Sequence, residues 1–429
     1  MKISPYQKVK DKGMRYLMNK KEEQKALIIR SCVEGEMSVK SAAMRLKLSE
    51  RQVKNLKMKY RKEGYSSILH GNCGRQPKHT ISVEVRQNIL EIRALPEFST
   101  VNTLHFKEIL EEKYSVKVSY SFLHSLFKKH GVKSSKQHRK PKKHNRRKRK
   151  EYFGEMLQAD ATSHQFFEND DKYYALHGFI DDATNMLTGL YMCQNECMEG
   201  YFEVTRQTLK NYGIPLSIYA DGGSIFFSTK KEKLSIEEQL LGVLERQTQY
   251  GHIMNELGVT LIHARSSQAK GRVERLWETL QNRLITEFKM HNISTIEAAN
   301  KFLKTYINRF NKKFSLPPLS VRSDFVPIQS NLNLNRLLSV KYTRTLDNGG
   351  CFSLNNIIFK LNNCSLTPKT KITVLISKRI GVVALHDEKI YSVTPILDKD
   401  KKQVNSTESV QMIIAQFVFA NCLKNERAA

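Results

Sequence analysis

The order of apolar segments between residues 156 and 290 constrains this fold more than any other feature of the chain. Met156–Ser163, Tyr173–Asp181 and Met186–Cys193 read as strands. The turn-forming runs Glu168-Asn-Asp-Asp-Lys172 and Asp182–Asn185 separate them. Gly200–Tyr212 has helical spacing, and Pro215–Ala220 is a buried type of strand. Gly258–His263 is a further strand, and a long helix runs from Arg272 to about Met290. A three-strand meander, a helix and more strands demand a mixed sheet covered by helices.

Three carboxylates occupy defined points of that order. Asp160 lies on the first strand, in Met156-Leu-Gln-Ala-Asp160-Ala-Thr-Ser-His164. Asp221 follows a later strand, in Ile214-Pro-Leu-Ser-Ile-Tyr-Ala-Asp221-Gly-Gly. Glu274 falls in the first turns of the long helix, in Gln268-Ala-Lys-Gly-Arg-Val-Glu274-Arg. Asp and Glu are common, and taken singly such a residue reads more readily as a salt-bridge partner. Converging from strand, strand end and helix, they make a hard-oxygen site suited to Mg²⁺ or Mn²⁺. Two such ions about 4 Å apart clamp both oxygens of a phosphodiester displacement. Gly222-Gly223 lets the backbone bend sharply beside the site. Asp181 and Asp182 are alternatives for the first carboxylate, but their place beside a turn reads as structural. His164 is a candidate accessory group, with a packing or surface role as its alternative.

The matching pieces Leu157-Gln-Ala-Asp160, Gly178-Phe-Ile-Asp-Asp-Ala-Thr184, Tyr219-Ala-Asp221-Gly and Ala269-Lys-Gly-Arg-Val-Glu274-Arg-Leu-Trp277 carry a family resemblance. The chain resembles the DDE transposases and integrases with a retroviral-integrase-like core, most closely insertion-sequence transposases of the ISNCY type. The resemblance covers roughly residues 20–385 and is strongest across the core. It implies an RNase H-like fold, whose sheet requires this order of strands and helices. It implies a catalytic and metal-binding triad of Asp160, Asp221 and Glu274 with two Mg²⁺ (or Mn²⁺) ions. The implied reaction cuts a transposon end to expose a 3′-OH, which then attacks target DNA. An assembly of at least two chains on double-stranded DNA follows. One departure stands out: 52 residues lie between Asp221 and Glu274, where retroviral integrases keep a shorter gap. Residues 224–250 fill it, with a helix expected over Ile236–Tyr250. Lys270, Arg272, Arg275 and Arg283 place positive charge around the long helix, either for phosphates or as a solvated face.

The formal charge of +29 exceeds what solubility needs and points to a polyanion partner. Membrane-surface and ribosome-like roles are basic too, but 40% hydrophobic residues in periodic segments call for packed domains. No apolar run approaches the roughly 18 residues of a spanning helix, and the first residues lack a signal core. Seven irregularly spaced cysteines fit a reducing compartment. Cys193 and Cys197 are close, but nothing completes a zinc set. A prokaryotic cytoplasmic, nucleoid-associated protein is the expectation.

Residues 1–20 are basic and lack a period. Three helices follow, with apolar faces at Ala26, Leu27, Ile29, Cys32 and Val33, at Ala42, Ala43 and Leu46, and at Val53, Leu56 and Tyr60. The last two read as a helix-turn-helix that presents Glu50, Arg51, Lys54, Asn55 and Lys57 to the major groove. A plain bundle with a basic face is the alternative. His70–Lys78 is a Gly/Pro linker whose Arg75 suits a minor groove, or a simple connector. Helices over Ile81–Leu95, Thr103–Tyr114 and Ser119–His130, with β-prone Ser115–Val118 between the last two, suggest a second helix-turn-helix or winged module.

Ten of the 17 residues from Ser134 to Lys150 are Lys or Arg, including Arg139, Lys140, Arg146, Arg147, Lys148 and Arg149. Such a block repels itself into an extended tether and releases counterions on meeting DNA. After a helix over Ser294–Phe310, strands at Tyr342–Leu346, Cys351–Leu354, Ile357–Leu361, Lys371–Ile376, Gly381–His386 and Lys389–Val393 suggest a small closed β-barrel. Residues 397–410 read as loose, and Met412–Leu423 as a last helix or strand.

The expected whole is a multidomain α+β chain: a helix-turn-helix domain over 1–70, a linker and second module over 71–133, the tether over 134–150, an RNase H-like α/β core over 151–325, a small β-barrel over 326–396 and a tail. A nuclease without strand transfer and a DNA-binding regulator with an inactive core are the rival functions.

Overall fold

The computed structural model describes residues 6–11, 14–69, 80–132, 148–168, 170–228, 247–264, 271–363, 365–398, 402–403 and 405–418. The chain divides into two compact units, Met1–Asn88 and Ile89–Ala429.

The first unit opens with an antiparallel pair, β1 (Tyr6–Asp11) and β2 (Met14–Asn19), where the sequence suggested an unpatterned basic segment. Helices α1 (Lys20–Glu34), α2 (Val39–Leu46) and α3 (Glu50–Glu63) follow. Ser49 and Gln52 form a reciprocal capping box at the start of α3, which fixes where that helix begins. Ala26, Ile29, Cys32, Ala42, Ala43, Val53 and Ile68 form the core. The small Ala42–Ala43 pair leaves room for the helices to cross closely. Arg51, Lys54 and Asn55 are exposed on α3, and Lys57 is half-buried.

Helix α4 (Val83–Ala94) crosses the unit boundary, and α5 (Thr103–Lys113) and α6 (Tyr120–Lys129) follow, capped by Asn102 and Ser119. Phe98, Phe106, Leu110, Leu123 and Phe127 are buried here. The Arg93 guanidinium lies 5.1 Å from the centre of the Phe106 ring and donates to the Phe98 carbonyl at 2.6 Å. Residues 115–118 form no strand. Ser115 takes a positive φ of 55°, and Val116 N–H returns to the Leu110 carbonyl at 2.8 Å, so a turn replaces the β-prone segment.

Strands β3 (Leu157–His164), β4 (Tyr174–Asp181), β5 (Leu187–Cys193), β6 (Ser217–Ala220) and β7 (Thr260–His263) form one sheet in the order β5-β4-β3-β6-β7. The meander is antiparallel, whereas β3–β6 and β6–β7 are parallel. Helix α7 (Met198–Asn211) covers one face: a Cβ on Gly189 would stand 2.8 Å from the Val204 carbonyl. Helix α8 (Gln249–Glu256), capped by Thr248, leads into β7. The sequence reading ended its helix at Tyr250, just where α8 begins; residues 236–246 of that expected helix lie outside the described residues. Helix α9 (Gly271–Met290) covers the other face, and α10 (Ile296–Phe314) closes the β5 edge. The Asn300 and Asn311 amides there bind the backbone of Met192 and Leu187.

A short helix α11 (Leu334–Leu337) precedes β8 (Val340–Thr345), β9 (Cys351–Leu354), β10 (Ile357–Leu361), β11 (Lys371–Ser377), β12 (Gly381–His386) and β13 (Lys389–Asp398). Their order is β8-β11-β12-β13-β10-β9. The two end strands approach one another, and Arg344 of β8 donates to the Ser353 carbonyl of β9 at 3.0 Å, so the sheet is a nearly closed barrel. Asn355-Asn356 and Asp387-Glu388 take positive φ in its hairpins, as two-residue turns require. Helix α12 (Ser406–Val418) packs on the barrel through Ile413 and Phe417, whose ring meets Tyr342 at 4.8 Å. The expectation of a loose 397–410 is therefore corrected at both its ends, and residues 399–401 and 404 lie outside the described residues. Strand β13 continues to Asp398 because it bridges two partners, β12 and β10, and α12 begins at Ser406.

Candidate active site

The site grows from the pairing of β3 with β6. Leu157 lies opposite Ile218 and Gln158 opposite Tyr219, in parallel. Carried two positions further along each strand, that register sets Asp160 level with Asp221. Neighbouring strands are about 4.8 Å apart. Asp160 is half-buried and Asp221 is exposed just beyond the end of β6.

The turn after Asp221 is pinned from below. Phe226 and Phe227 donate their N–H groups to the Gly223 carbonyl at 3.0 Å. The Phe226 ring is buried edge-on against Tyr201 (4.6 Å) and Tyr250 (5.2 Å). Gly223 N–H donates to the Asp221 carboxylate at 3.2 Å. A Cβ on Gly222 would stand 2.6 Å from His263 Nε2, so glycine is what lets the turn pass His263.

Helix α9 is registered on β3 by two hydrogen bonds. Trp277 Nε1 donates to Asp160 Oδ2 at 2.8 Å, and Gln281 Nε2 to Thr162 Oγ1 at 2.7 Å. Gly178, paired with Asp160 across β4, makes this possible: a Cβ there would stand 2.8 Å from the Trp277 ring. Glu274 precedes Trp277 by three residues, hence on the same helix face one turn back, and is exposed. Among the described residues no three His, Cys, Asp or Glu side chains converge on one point. The structure thus carries Asp160 and Asp221 on adjacent strands, while Glu274, one turn before Trp277 on α9, does not join them in one cluster. In donor chemistry all three are hard oxygen ligands, which fits Mg²⁺ or Mn²⁺.

Two neighbours escaped the sequence reading. Tyr201 is buried, and its hydroxyl donates to the exposed Glu196 at 2.7 Å. Burial raises the Tyr201 pKa well above its usual value, and the charges of Glu196, Asp160 and Asp221 add to the rise. Tyr201 therefore lies within electrostatic reach of Glu196, Asp160 and Asp221. His263 ends β7 beside Gly222, with its ring 4.9 Å from Phe227. Its pairing with Ala220 puts it there, a signal legible only once the β6–β7 register is known.

Asp181 and Asp182 are wholly buried and spent on structure. Asp181 accepts Gly154 N–H (2.9 Å), Thr184 N–H (2.8 Å) and the Thr184 hydroxyl (2.7 Å). Asp182 accepts Lys150 N–H (2.9 Å), the Gln158 amide (2.6 Å) and the Arg272 guanidinium. His164 packs edge-on against Phe166 at 5.6 Å, and burial lowers its pKa. It is four strand residues, about 13 Å, along β3 from Asp160.

Of the cations named from sequence, Arg75, Arg139, Lys140, Arg146, Arg147 and Lys270 lie outside the described residues. Lys148 is exposed. Arg149 donates to the Ala183 carbonyl at 3.3 Å, and burial together with nearby Arg272 and Arg275 lowers its pKa. Arg275 is exposed and donates to the Gly271 carbonyl at 2.9 Å. Arg283, expected either to meet phosphates or to be solvated, does neither. It is 5% exposed, forked onto Glu108 at 2.7 and 2.9 Å, and stacked 4.8 Å over Phe314. The reason is that α5 covers that side of α9.

The chain is 32% identical over 417 residues to the transposase for insertion sequence IS1202 of Streptococcus pneumoniae, spanning 88% of this chain and 87% of that one. It belongs to the insertion-sequence transposases. A second relative, the transposase-named protein y4bF of Sinorhizobium fredii, is 32% identical over 323 residues, 75% of this chain and 68% of that one. No protein-family model matches. Among solved structures, a chain of the simian T-cell lymphotropic virus intasome in complex with PP2A regulatory subunit B56 gamma is 14% identical, covering 72% of this chain and 96% of that chain, with a TM-score of 0.31. The HTLV-2 integrase catalytic core domain in complex with magnesium (trimeric form) is 20% identical, covering 36% of this chain and 85% of that chain, at 0.26. Superpositions this loose transfer no geometry. No described helix is long and apolar enough to cross a membrane.

Proposed function

We propose that this transposase binds the ends of its element, cuts a strand to expose a 3′-OH, and joins that 3′-OH to target DNA. The observation that carries the reading is the parallel β3–β6 pairing. It brings two aspartates side by side at an open strand end, with α9 clamped onto one of them through Trp277. Two like charges so placed repel one another unless a cation lies between them. Asp160 and Asp221 would hold Mg²⁺ or Mn²⁺, and Glu274, exposed and on the adjoining helix face, would complete the set by rotating its side chain. Two such ions, when bound, supply the charge stabilisation of the displacement and activate the attacking oxygen.

The chain's own groups do the rest. Trp277 orients the Asp160 carboxylate. Glycine at 222 lets the turn that carries Asp221 pass close to His263. Tyr201, held neutral by its raised pKa, supports Glu196 and does not act as a base. Arg149 and Arg275 lie along the start of α9, suited to phosphates. Arg51, Lys54, Asn55 and Lys57 of α3 suit the major groove of an element end. Joining two ends in one event calls for at least two chains on the DNA.

The test uses purified protein, Mg²⁺ or Mn²⁺, and labelled DNA carrying the ends that flank its gene. Wild type should nick and join; Asp221→Asn and Glu274→Gln should do neither. Nicking without joining would make it a nuclease, and tight binding without cleavage under either metal a regulator.

A further inference from the structure

A second cationic site lies away from the carboxylates. Asp160, Gly178 and Leu190 form one cross-strand row, so they share the sheet face under α9. Tyr191, the next residue on β5, points to the opposite face. There it lines a cavity of about 360 Å³ between α7, α10 and the β11–β12 turn of the barrel. The site is two strands, about 10 Å, across the sheet from β3 and on its other side.

The β5 edge beneath it is already capped. Gln207 binds the N–H and carbonyl of Leu190 at 3.1 and 2.9 Å, and Asn300 binds those of Met192 at 2.7 and 2.9 Å. A partner strand therefore has no backbone to pair with. What remains is charge. Arg379 is forked onto Glu203 at 2.5 and 2.7 Å, and Arg206 reaches the same carboxylate at 3.2 Å. Lys378 faces the buried Glu199. Lys210 at the end of α7 and Lys301 and Lys304 on α10 are exposed and make no ion pair among the described residues. Glu297 is a second acid of the same lining, beside Glu203. Lys301 and Lys304 stand one helical turn apart, with Cβ atoms about 5–6 Å from each other, so one phosphodiester can lie between them.

We infer that Lys210, Lys301 and Lys304 form a phosphate site that grips the backbone of a DNA segment other than the one presented to Asp160 and Asp221. The inference rests on the proposed DNA-joining function. Duplex is favoured over a small anion because these lysines are exposed and come from separate elements around an open rim. A site for a free phosphate needs buried, convergent donors.

The test compares the full chain with its Lys210→Gln/Lys301→Gln/Lys304→Gln variant. Duplex affinity is measured over a salt series, and nicking at saturating end DNA is measured alongside. Each phosphate contact contributes about 0.9 to the log–log salt slope. The variant should lose about 2 to 3 from that slope, keep its melting temperature, and nick saturating DNA at the wild-type rate. An unchanged slope overturns the inference. So does an unchanged slope with loss of stabilisation by inorganic phosphate, which would make the cavity a small-anion site. Wild type that binds with the expected slope but never nicks or joins sinks the proposed function and leaves this site standing.

Discussion

Two pairs of aspartates share one sheet and have opposite fates. Asp181 ends β4 and Asp182 follows it, both with no exposed surface, and donors from Lys150, Gly154, Gln158, Thr184 and Arg272 fill their oxygens. Asp160 and Asp221 are half-buried and exposed, on strands that run side by side. Burying a carboxylate costs several kcal/mol unless hydrogen bonds replace its water, so the buried pair can exist only as a staple. The open pair accepts Trp277 Nε1–H and Gly223 N–H, but it sets two negative charges on adjacent strands, which opposes folding. The contrast separates structure from chemistry among residues of one type.

Substitutions at both pairs give the largest expected effects, in opposite assays. Asp221→Asn should lower DNA joining roughly a thousandfold, the several kcal/mol of lost charge stabilisation, while the melting temperature stays put or rises. Asp182→Asn should cost about 3–5 kcal/mol of stability, because it strands the Arg272 charge beside buried groups. Thermal melts and a joining assay on both variants check this. A destabilised Asp221→Asn, or a fully stable Asp182→Asn, would break the comparison.

The same rule extends to a buried base on the opposite face. His177 has no exposed surface, accepts Cys197 N–H at 3.1 Å, and has its pKa pushed down to about 4 by burial. Unfolded, it titrates near 6.5. Between those values the unfolded chain holds the extra proton. The stability contributed by neutral His177 is therefore present above pH 6.5 and lost as pH falls towards 4, by up to about 3 kcal/mol. Glu199, its pKa raised to about 7 chiefly by burial, acts with the opposite sign: its contribution is lost as pH rises from 4.5 to 7. The informative quantity is thus the difference between wild type and His177→Gln, measured by denaturant titration from pH 7.5 to 5. That difference should shrink steadily with acid. If it stays constant, His177 takes up its proton as readily in the fold as in the unfolded chain, and the burial rule fails here.

What the sequence carried was local. Strand alternation and turn residues placed β3, β4 and β5 within a residue of their observed ends, and Gly-Arg-Val-Glu placed the start of α9. What escaped depends on contacts between segments far apart in the chain. Arg283 reads as a solvated cation until α5 is known to cover it with Glu108. Glu196 and His263 read as loop and strand-end residues until Tyr201 and the β6–β7 register bring them to the site. The hairpin of β1 and β2 was lost among basic residues whose alternation is weak.

Gly178 tests whether the open pair depends on its support. A methyl group there would stand 2.8 Å from both the Leu190 and Trp277 side chains. Gly178→Ala should cost about 1–3 kcal/mol through overpacking and also push the indole off Asp160. Calorimetry and the joining assay should fall together. A stability loss with full activity would mean that the indole position does not matter to Asp160.

The smallest expected change isolates that hydrogen bond. Trp277→Phe keeps most of the buried ring between α9 and β4 and removes only the N–H that reaches Asp160 at 2.8 Å. A hydrogen bond to a charged acceptor contributes about 1.5–3 kcal/mol, and water can replace part of it at a half-buried carboxylate. Stability should therefore fall by about 1 kcal/mol or less. Joining should fall further, because a carboxylate freed to rotate spends less time facing Asp221. A joining rate that drops only as far as the folded fraction would reduce Trp277 to packing. A rate that drops about tenfold in fully folded protein would make it a positioning residue for the open pair, with no counterpart on the buried one.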